Sequence, residues 1–347
     1  MMAEIFTPGH GLITDSLIMH GIARLYDVNE VERLGDRYRI VLNSKPRRDV
    51  ISLVRVELST YFNNFYNIDA IGNTSVLGKL INSNTNIAVR HTWMSYLREA
   101  IDKTNFDDLL NVYTPDHRDR AKEGRSKSIS LYTLFSSLSY MHGKFYQSNY
   151  SVREKEYRVC GACFALANLG LIYGTVVFRY DSENKSTATM LTVIPADKMG
   201  REDLLLAQRF ARGPAVKLKA DLTLKAAILY AFGVGEIMFT SNANPLVLVW
   251  RIEKDSQLRP AGSELLELNS ILKKIAKIKL EYPAFPKLII DLAASNEGTA
   301  VLNELADVIL TGSDPFQVLG EIRNLAAKNL IPESALIGLD GLAKALV

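Results

Sequence analysis

The amino-acid sequence predicts an α+β fold: a mixed N-terminal body with a small antiparallel sheet, followed by an all-helical C-terminal bundle. Three observations carry this reading. Between His10 and Asp27 the apolar residues Leu17, Ile18, Ile22, Leu25 and Tyr26 recur at three- and four-residue steps, the spacing of a helix face. Two apolar runs, Leu171–Tyr180 and Ala188–Ile194, flank the polar Asp181-Ser-Glu-Asn-Lys-Ser186, as two strands flank a turn. From Ser263 onward Leu265, Leu268, Ile271, Leu272, Ile275 and Ile278 form one helical stripe, and similar stripes recur to Ala345. Pro260-Ala-Gly-Ser263 marks the boundary, giving units 1–260 and 261–347.

Taken in order, the first helix is expected to be buried and amphipathic, capped by Thr14 or Asp15. Tyr38–Leu42 reads as a short strand, and Ile51–Leu58, after a turn-like Asn-Ser-Lys-Pro-Arg-Arg-Asp, as a second. Residues 60–90 are rich in Asn, Thr and Ser and suit loop and short helix. Helical spacing returns at Thr92–Lys103 and Ser128–Phe145, separated by a polar, basic loop over 114–127. Further helices are expected at Val159–Leu169, Glu202–Arg212 and Thr223–Phe232, with a last strand at Leu246–Glu253. In the C-terminal unit, Gly298 and Gly312 are placed to stop helices, while Asp314-Pro-Phe-Gln317 has the cap, proline and Gln that start one.

Composition narrows the function classes. With 347 residues, 48% apolar and 23% charged, the chain is an ordinary globular protein able to bury one large core or two smaller ones. Two cysteines and no cleavable apolar leader imply a reducing cytoplasm. No window reaches the ~18 uncharged apolar residues of a membrane helix, so no membrane partner is expected. The net charge of +3 is too small to argue for nucleic acid, but it is unevenly spread. From Ala261 on there are 11 acidic and 8 basic residues, whereas the preceding part holds 33 basic against 27 acidic.

Catalytic motifs are scarce. Cys160-Gly-Ala-Cys163 has the spacing of a thiol–disulfide pair at a helix start, but that chemistry calls for a strand feeding the motif, and Arg153-Glu-Lys-Glu-Tyr-Arg158 is charged. A structural zinc needs four ligands and no second Cys pair exists, so the thiols are expected as packed core residues. His10 and His20 flank Asp15, yet ten helical residues hold them about 15 Å apart, too far to share an ion. His117-Arg-Asp119 has the letters of a kinase triplet without the glycine-rich loop or Asp-Phe-Gly that kinases require. No phosphate-cradling Gly-x-x-x-x-Gly-Lys-Ser/Thr loop occurs, and no carboxylate cluster has the spacing of a nuclease metal site. Catalysis, metal and cofactor are therefore all expected to be absent.

Basic clusters are the remaining signal. Arg118, Arg120, Lys122, Arg125 and Lys127 crowd into ten residues, with Tyr132, Phe135, Tyr140, Phe145, Tyr146, Tyr150 and Tyr157 close behind. Lys45, Arg47 and Arg48 form a smaller turn, and Arg209, Arg212, Lys217 and Lys219 flank Gly213-Pro214. Cations on loops reach phosphate oxygens and release counterions, which suits nucleic-acid binding; the competing reading of each cluster is a solvated face. The C-terminal unit has three aromatics (Tyr282, Phe285, Phe316), and its basic exception is Lys273, Lys274, Lys277 and Lys279.

The opening stretch, His10-Gly-Leu-Ile-Thr-Asp-Ser-Leu-Ile-Met-His-Gly-Ile-Ala-Arg-Leu-Tyr-Asp27, in a chain of this length and element order, resembles that of the large subunit of the archaeal type I-A CRISPR interference (Cascade) complex. The resemblance implies a non-catalytic subunit that meets target double-stranded DNA, including a flanking motif and the displaced strand. It implies as partners the other subunits of the CRISPR RNA–protein complex and a separate helicase–nuclease effector. Guide pairing would read sequence while protein reads the flank, the division of labour seen in single-protein effectors. Two rival readings stand beside it: a structural assembly or RNA-binding protein without DNA recognition, and a thiol oxidoreductase using Cys160 and Cys163.

Overall fold

Two glycines turn the chain into its first helix. The computed structural model describes residues 3–43, 52, 100–109, 113–114, 117, 131–133, 158–183, 185–211, 216–240, 243–254 and 258–346. Strand β1 (Ala3–Phe6) leads through Gly9 and Gly11, whose φ angles of 82° and 109° disfavour a side chain, into α1 (Leu12–Leu25). Gly11, not Thr14 or Asp15, is the N-cap. Asp15 reaches backwards instead: its Oδ1 accepts the Gly9 N–H at 2.7 Å and its Oδ2 the His10 N–H at 2.6 Å. Burial pushes the Asp15 carboxyl up to about 7. Every residue from Ile13 to Ile22 is buried, so α1 is enclosed on all sides rather than amphipathic.

Strands β2 (Val28–Leu34) and β3 (Arg37–Leu42) follow as a hairpin. The sequence does not reveal β2, because Asn29, Glu30, Glu32 and Arg33 mask its alternation. A short strand β4 (Leu131–Thr133) pairs with β5 (Arg158–Cys160), where helix was expected over 128–145. Helix α2 (Gly161–Tyr173) then runs four residues past its expected end, and the strand thought to begin at Leu171 begins at Thr175. Every residue from Ala162 to Tyr173 is buried, and a wholly buried helix has no polar face to distinguish it from a buried strand. Residues 100–103 are helical, and Ser52 is helical where a strand was expected, whereas the rest of the readings over 51–58, all of 60–90 and 92–99, and most of 114–127 and 128–145 lie outside the described residues.

The expected hairpin is β6 (Thr175–Asp181) and β7 (Ser186–Pro195). After β8 (Lys198–Gly200), α3 (Arg201–Ala211), β9 (Val216–Leu218) and α4 (Leu224–Val234) come β10 (Pro245–Lys254) and β11 (Leu258–Glu267). One sheet has the order β1-β3-β2-β8; a second, β11-β10-β7-β6-β9, is antiparallel except where β9 joins β6 in parallel. Strand β11 occupies the span where a helix and the 260/261 boundary were expected. Pro260 and Gly262 are accommodated at a register shift opposite Arg251 and Ile252, and β11 is an edge strand, where a proline is tolerated.

The helices begin at Leu268: α5 (Leu268–Glu281), α6 (Phe285–Leu292), α7 (Asn296–Thr311), α8 (Phe316–Ala327) and α9 (Leu339–Leu346). Gly298 does not stop a helix. It lies in the first turn of α7, its N–H donating to the Ser295 hydroxyl at 3.0 Å. Gly312 does end α7, with φ 77°, and Asp314 accepts the Phe316 N–H at 3.0 Å to start α8. The bundle docks on α4. Lys225 Nζ meets Asp307 at 2.8 Å, and the Thr223 N–H donates to Asn303 Oδ1 at 3.0 Å.

Helices α1 and α2 cross at the centre of the N-terminal body, and glycines set their separation. A Cβ on Gly170 would lie 1.7 Å from the Leu17 carbonyl oxygen, and one on Gly21 would lie 2.2 Å from that of Leu166. Backbone meets backbone there, and no rotamer can relieve the clash. His20, fully buried beside Gly174, donates from Nε2 to the Val193 carbonyl at 2.8 Å. That carbonyl can only accept, so Nε2 carries a proton. Burial holds His20 down at about 4, below its ordinary 6.5.

This crossing can be tested in two ways. Gly170→Ala should lower stability by about 3 kcal/mol, whereas Gly320→Ala, in mid-α8 with open space at its Cβ, should raise it by about 0.5–1 kcal/mol; denaturant unfolding checks both. His20 contributes stability that is complete above its unfolded value of 6.5 and is lost as pH falls towards 4. Asp15 acts in the opposite sense, its contribution falling as pH rises from 3.8 to about 7, but it is common to wild type and a His20→Asn variant. Between pH 7.5 and pH 5 wild type should therefore lose about 2 kcal/mol more than His20→Asn, measured as the difference between their unfolding free energies.

Candidate nucleic-acid interface

Of the twelve cations expected to meet nucleic acid, three are described. Arg209 is exposed near the end of α3, Lys217 is exposed in β9, and Lys219 is exposed just beyond it. Strand β9 is an edge of its sheet, so Lys217 projects from a rim. Lys45, Arg47, Arg48, Arg118, Arg120, Lys122, Arg125, Lys127 and Arg212 lie outside the described residues.

Arg209 also lines a cleft of about 530 Å³ with Arg24, Tyr173, Glu202, Leu205, Leu206 and Gln208. The Arg24 guanidinium carbon lies 4.8 Å from the centre of the Tyr173 ring, within cation–π range. A second cleft of about 200 Å³ adjoins it, sharing Arg24, Leu205 and Gln208 and adding Arg201, whose guanidinium pairs with Asp27 at 3.1 Å. Gln208 fixes this wall by donating to the His20 carbonyl at 2.8 Å. Sequence reasoning missed Arg24. The available signal was a lone arginine in the last turn of a largely buried helix.

The C-terminal lysines are less free than their spacing suggests. Lys274 Nζ donates to the Ile309 carbonyl at 3.0 Å and so closes the end of α7. Lys279 Nζ does the same for α4 through the Gly235 carbonyl at 3.0 Å and that of Phe232 at 3.4 Å. Cations suit those positions because the last turn of a helix leaves carbonyls unpaired and carries partial negative charge. Partial burial also pulls the Lys279 ammonium below its usual range. Of the four, Lys273 and Lys277 remain as an exposed pair on α5.

The two thiols sit in a cluster the sequence did not reveal. A strand does feed the motif: β5 ends at Cys160, which is the N-cap of α2, and Cys163 follows one turn later, fully buried. His117 joins them across more than forty residues of chain, its Nε2 3.3 Å from Cys163 Sγ and 3.5 Å from Cys160 Sγ. The sulfurs are 3.5 Å apart, and the Tyr113 hydroxyl donates to Cys163 Sγ at 3.3 Å. Hydrogen bonding from Cys163 and His117 holds the Cys160 thiol well below the usual range, while burial pushes that of Cys163 well above it. These three side chains are the described group whose donor atoms converge closely enough to hold a metal ion.

No helix among the described residues is long and apolar enough to cross a membrane. The family described as CRISPR-associated protein (Cas_Csa4) matches residues 3–337. The chain is 31% identical over 367 residues to the CRISPR system associated protein Cas8 of Thermoproteus tenax, covering 99% of this chain and 97% of that protein. With a match running from β1 into the turn before α9, the chain belongs to the Cas_Csa4 family of CRISPR-associated proteins, the kinship its opening helix resembles.

Proposed function

We propose that the chain is the non-catalytic large subunit of an RNA-guided CRISPR interference complex, and that its N-terminal body holds target duplex DNA and the displaced strand. Kinship with a Cas8 protein over nearly the full length of both chains carries this reading. The charge distribution agrees with it. Arg209, Lys217 and Lys219 are exposed to solvent, and Arg209 lines a cleft with Arg24, while the acidic C-terminal helices use Lys274 and Lys279 internally. In this scheme the guide RNA reads sequence, this subunit grips the flank, and a separate helicase–nuclease, docked on the assembled complex, does the cutting.

Reversing Arg209, Lys217 and Lys219 to Glu together should weaken duplex binding about tenfold or more at moderate salt. It should also flatten the salt dependence, by about 0.9 log units for each phosphate that is no longer neutralised. Reversing Lys273 and Lys277 should change affinity less than about threefold. Fluorescence anisotropy with labelled duplex across a salt series measures both, on the full chain and on the assembled complex. The opposite order of effects would place the nucleic-acid face on the C-terminal helices. Tighter binding of single-stranded RNA than of duplex DNA would favour an assembly role instead.

A further inference from the structure

We propose that His117, Cys160 and Cys163 form a binding site for a transition-metal ion, zinc by its donor set, that fastens the 113–117 segment to the β5–α2 junction. This is independent of which nucleic acid the subunit holds.

The spacing of the three donors supports the assignment. A tetrahedral zinc with ordinary Zn–S and Zn–N bonds sets its ligands ~3.8 Å apart for two sulfurs and ~3.6 Å for sulfur and nitrogen. The three observed separations are 3.5 Å between sulfurs and 3.3 and 3.5 Å from each sulfur to Nε2. One imidazole nitrogen is thus nearly equidistant from both thiols, so the three atoms outline one face of a coordination tetrahedron. The fourth vertex falls to a group other than these three side chains.

The surroundings suit metal thiolates. Tyr113 donates its hydroxyl proton to Cys163 Sγ and stacks on the His117 ring with centroids 4.9 Å apart, so it orients two ligands at once. Its own backbone is fixed, because its carbonyl accepts the Phe6 N–H at 3.0 Å. Cys160 caps α2, where the helix terminus favours a thiolate. Cys163 is fully buried and His117 is 4% exposed. Two thiolates and one divalent cation sum to zero charge, which a buried site requires; two bare thiolates would not satisfy it.

A dithiol that exchanges disulfides is the alternative use of the same residues. It needs neither an imidazole nitrogen shared between both sulfurs nor a tyrosine hydroxyl on the inner thiol.

The chain has two cysteines, which makes the test direct. Full-length protein, reduced and freed of metal by a chelator, is titrated with cobalt(II) and, separately, with zinc. One equivalent of cobalt should give thiolate-to-metal charge-transfer absorption and tetrahedral d–d bands, and zinc should displace it. One equivalent of zinc should also protect both thiols from alkylation, counted by intact mass. Cys163→Ser and His117→Ala should each weaken cobalt binding at least tenfold. Charge transfer absent from the reduced wild type would overturn the proposal, as would alkylation that zinc leaves unchanged. A wild-type chain that retains no metal when reduced but forms a Cys160–Cys163 disulfide in a glutathione buffer would overturn it in favour of redox chemistry. The alkylation readout uses wild type, so it stands if the variants fail to fold.

Discussion

At the centre of the N-terminal body, two helices approach until the carbonyl of Leu17 rests where Gly170 would carry a side chain and the carbonyl of Leu166 rests on Gly21. Such an approach brings peptide groups into van der Waals contact and leaves the flanking side chains to interlock around them. Besides the apolar core around it, single well-defined polar bonds tie this pair to the rest of the body. Ser16 reaches Tyr38 of β3 at 2.7 Å, His20 reaches β7 through Val193, Thr192 reaches the Gly174 carbonyl at 2.6 Å, and Gln208 of α3 reaches the His20 carbonyl. Each of these polar groups is buried, so each bond also offsets a desolvation cost that would otherwise oppose folding.

How much of this was legible in the sequence depended on how each segment meets solvent. Half-buried α3 and α5 could be read because one face of each is polar, and the β6–β7 hairpin could be read from the polar turn between its two apolar runs. Segment 171–173 could not, since Leu171, Ile172 and Tyr173 are enclosed on all sides and carry no period. Strand β2 was illegible for the opposite reason, being mostly polar with Val28 and Val31 as its buried residues. Pro260 and Gly262 carry the composition of a linker, and the sequence does not show that they lie on an edge strand, at a register shift opposite Arg251 and Ile252.

The same contrast governs the candidate sites. A cluster of cations within ten residues is visible in a sequence, whereas a contact between His117 and Cys163 is not, because the topology that closes it lies in the β4–β5 pair and the turn around Tyr113. Charge alone also misleads about use. Lys274 and Lys279 have the spacing of a basic face, yet their ammonium groups close the ends of α7 and α4 and so join the C-terminal helices to one another and to the body. Arg251 is a similar case. Its guanidinium gathers Glu253 at 2.9 Å, Asp221 and the Leu222 carbonyl at 2.6 Å, which stitches β10 to the turn before α4.

The bulge in β11 bears on how the protein behaves at high concentration. A ten-residue strand at a sheet edge offers its unpaired amides to any other extended chain. Here the irregularity at Pro260–Gly262 interrupts that template, leaving Ser263–Glu267 as the regular stretch paired with Leu246–Trp250. Glu264 and Glu267 place charge along that stretch, which disfavours pairing with another strand. The kink that resembles a domain linker in the sequence thus shortens the stretch of edge open to pairing.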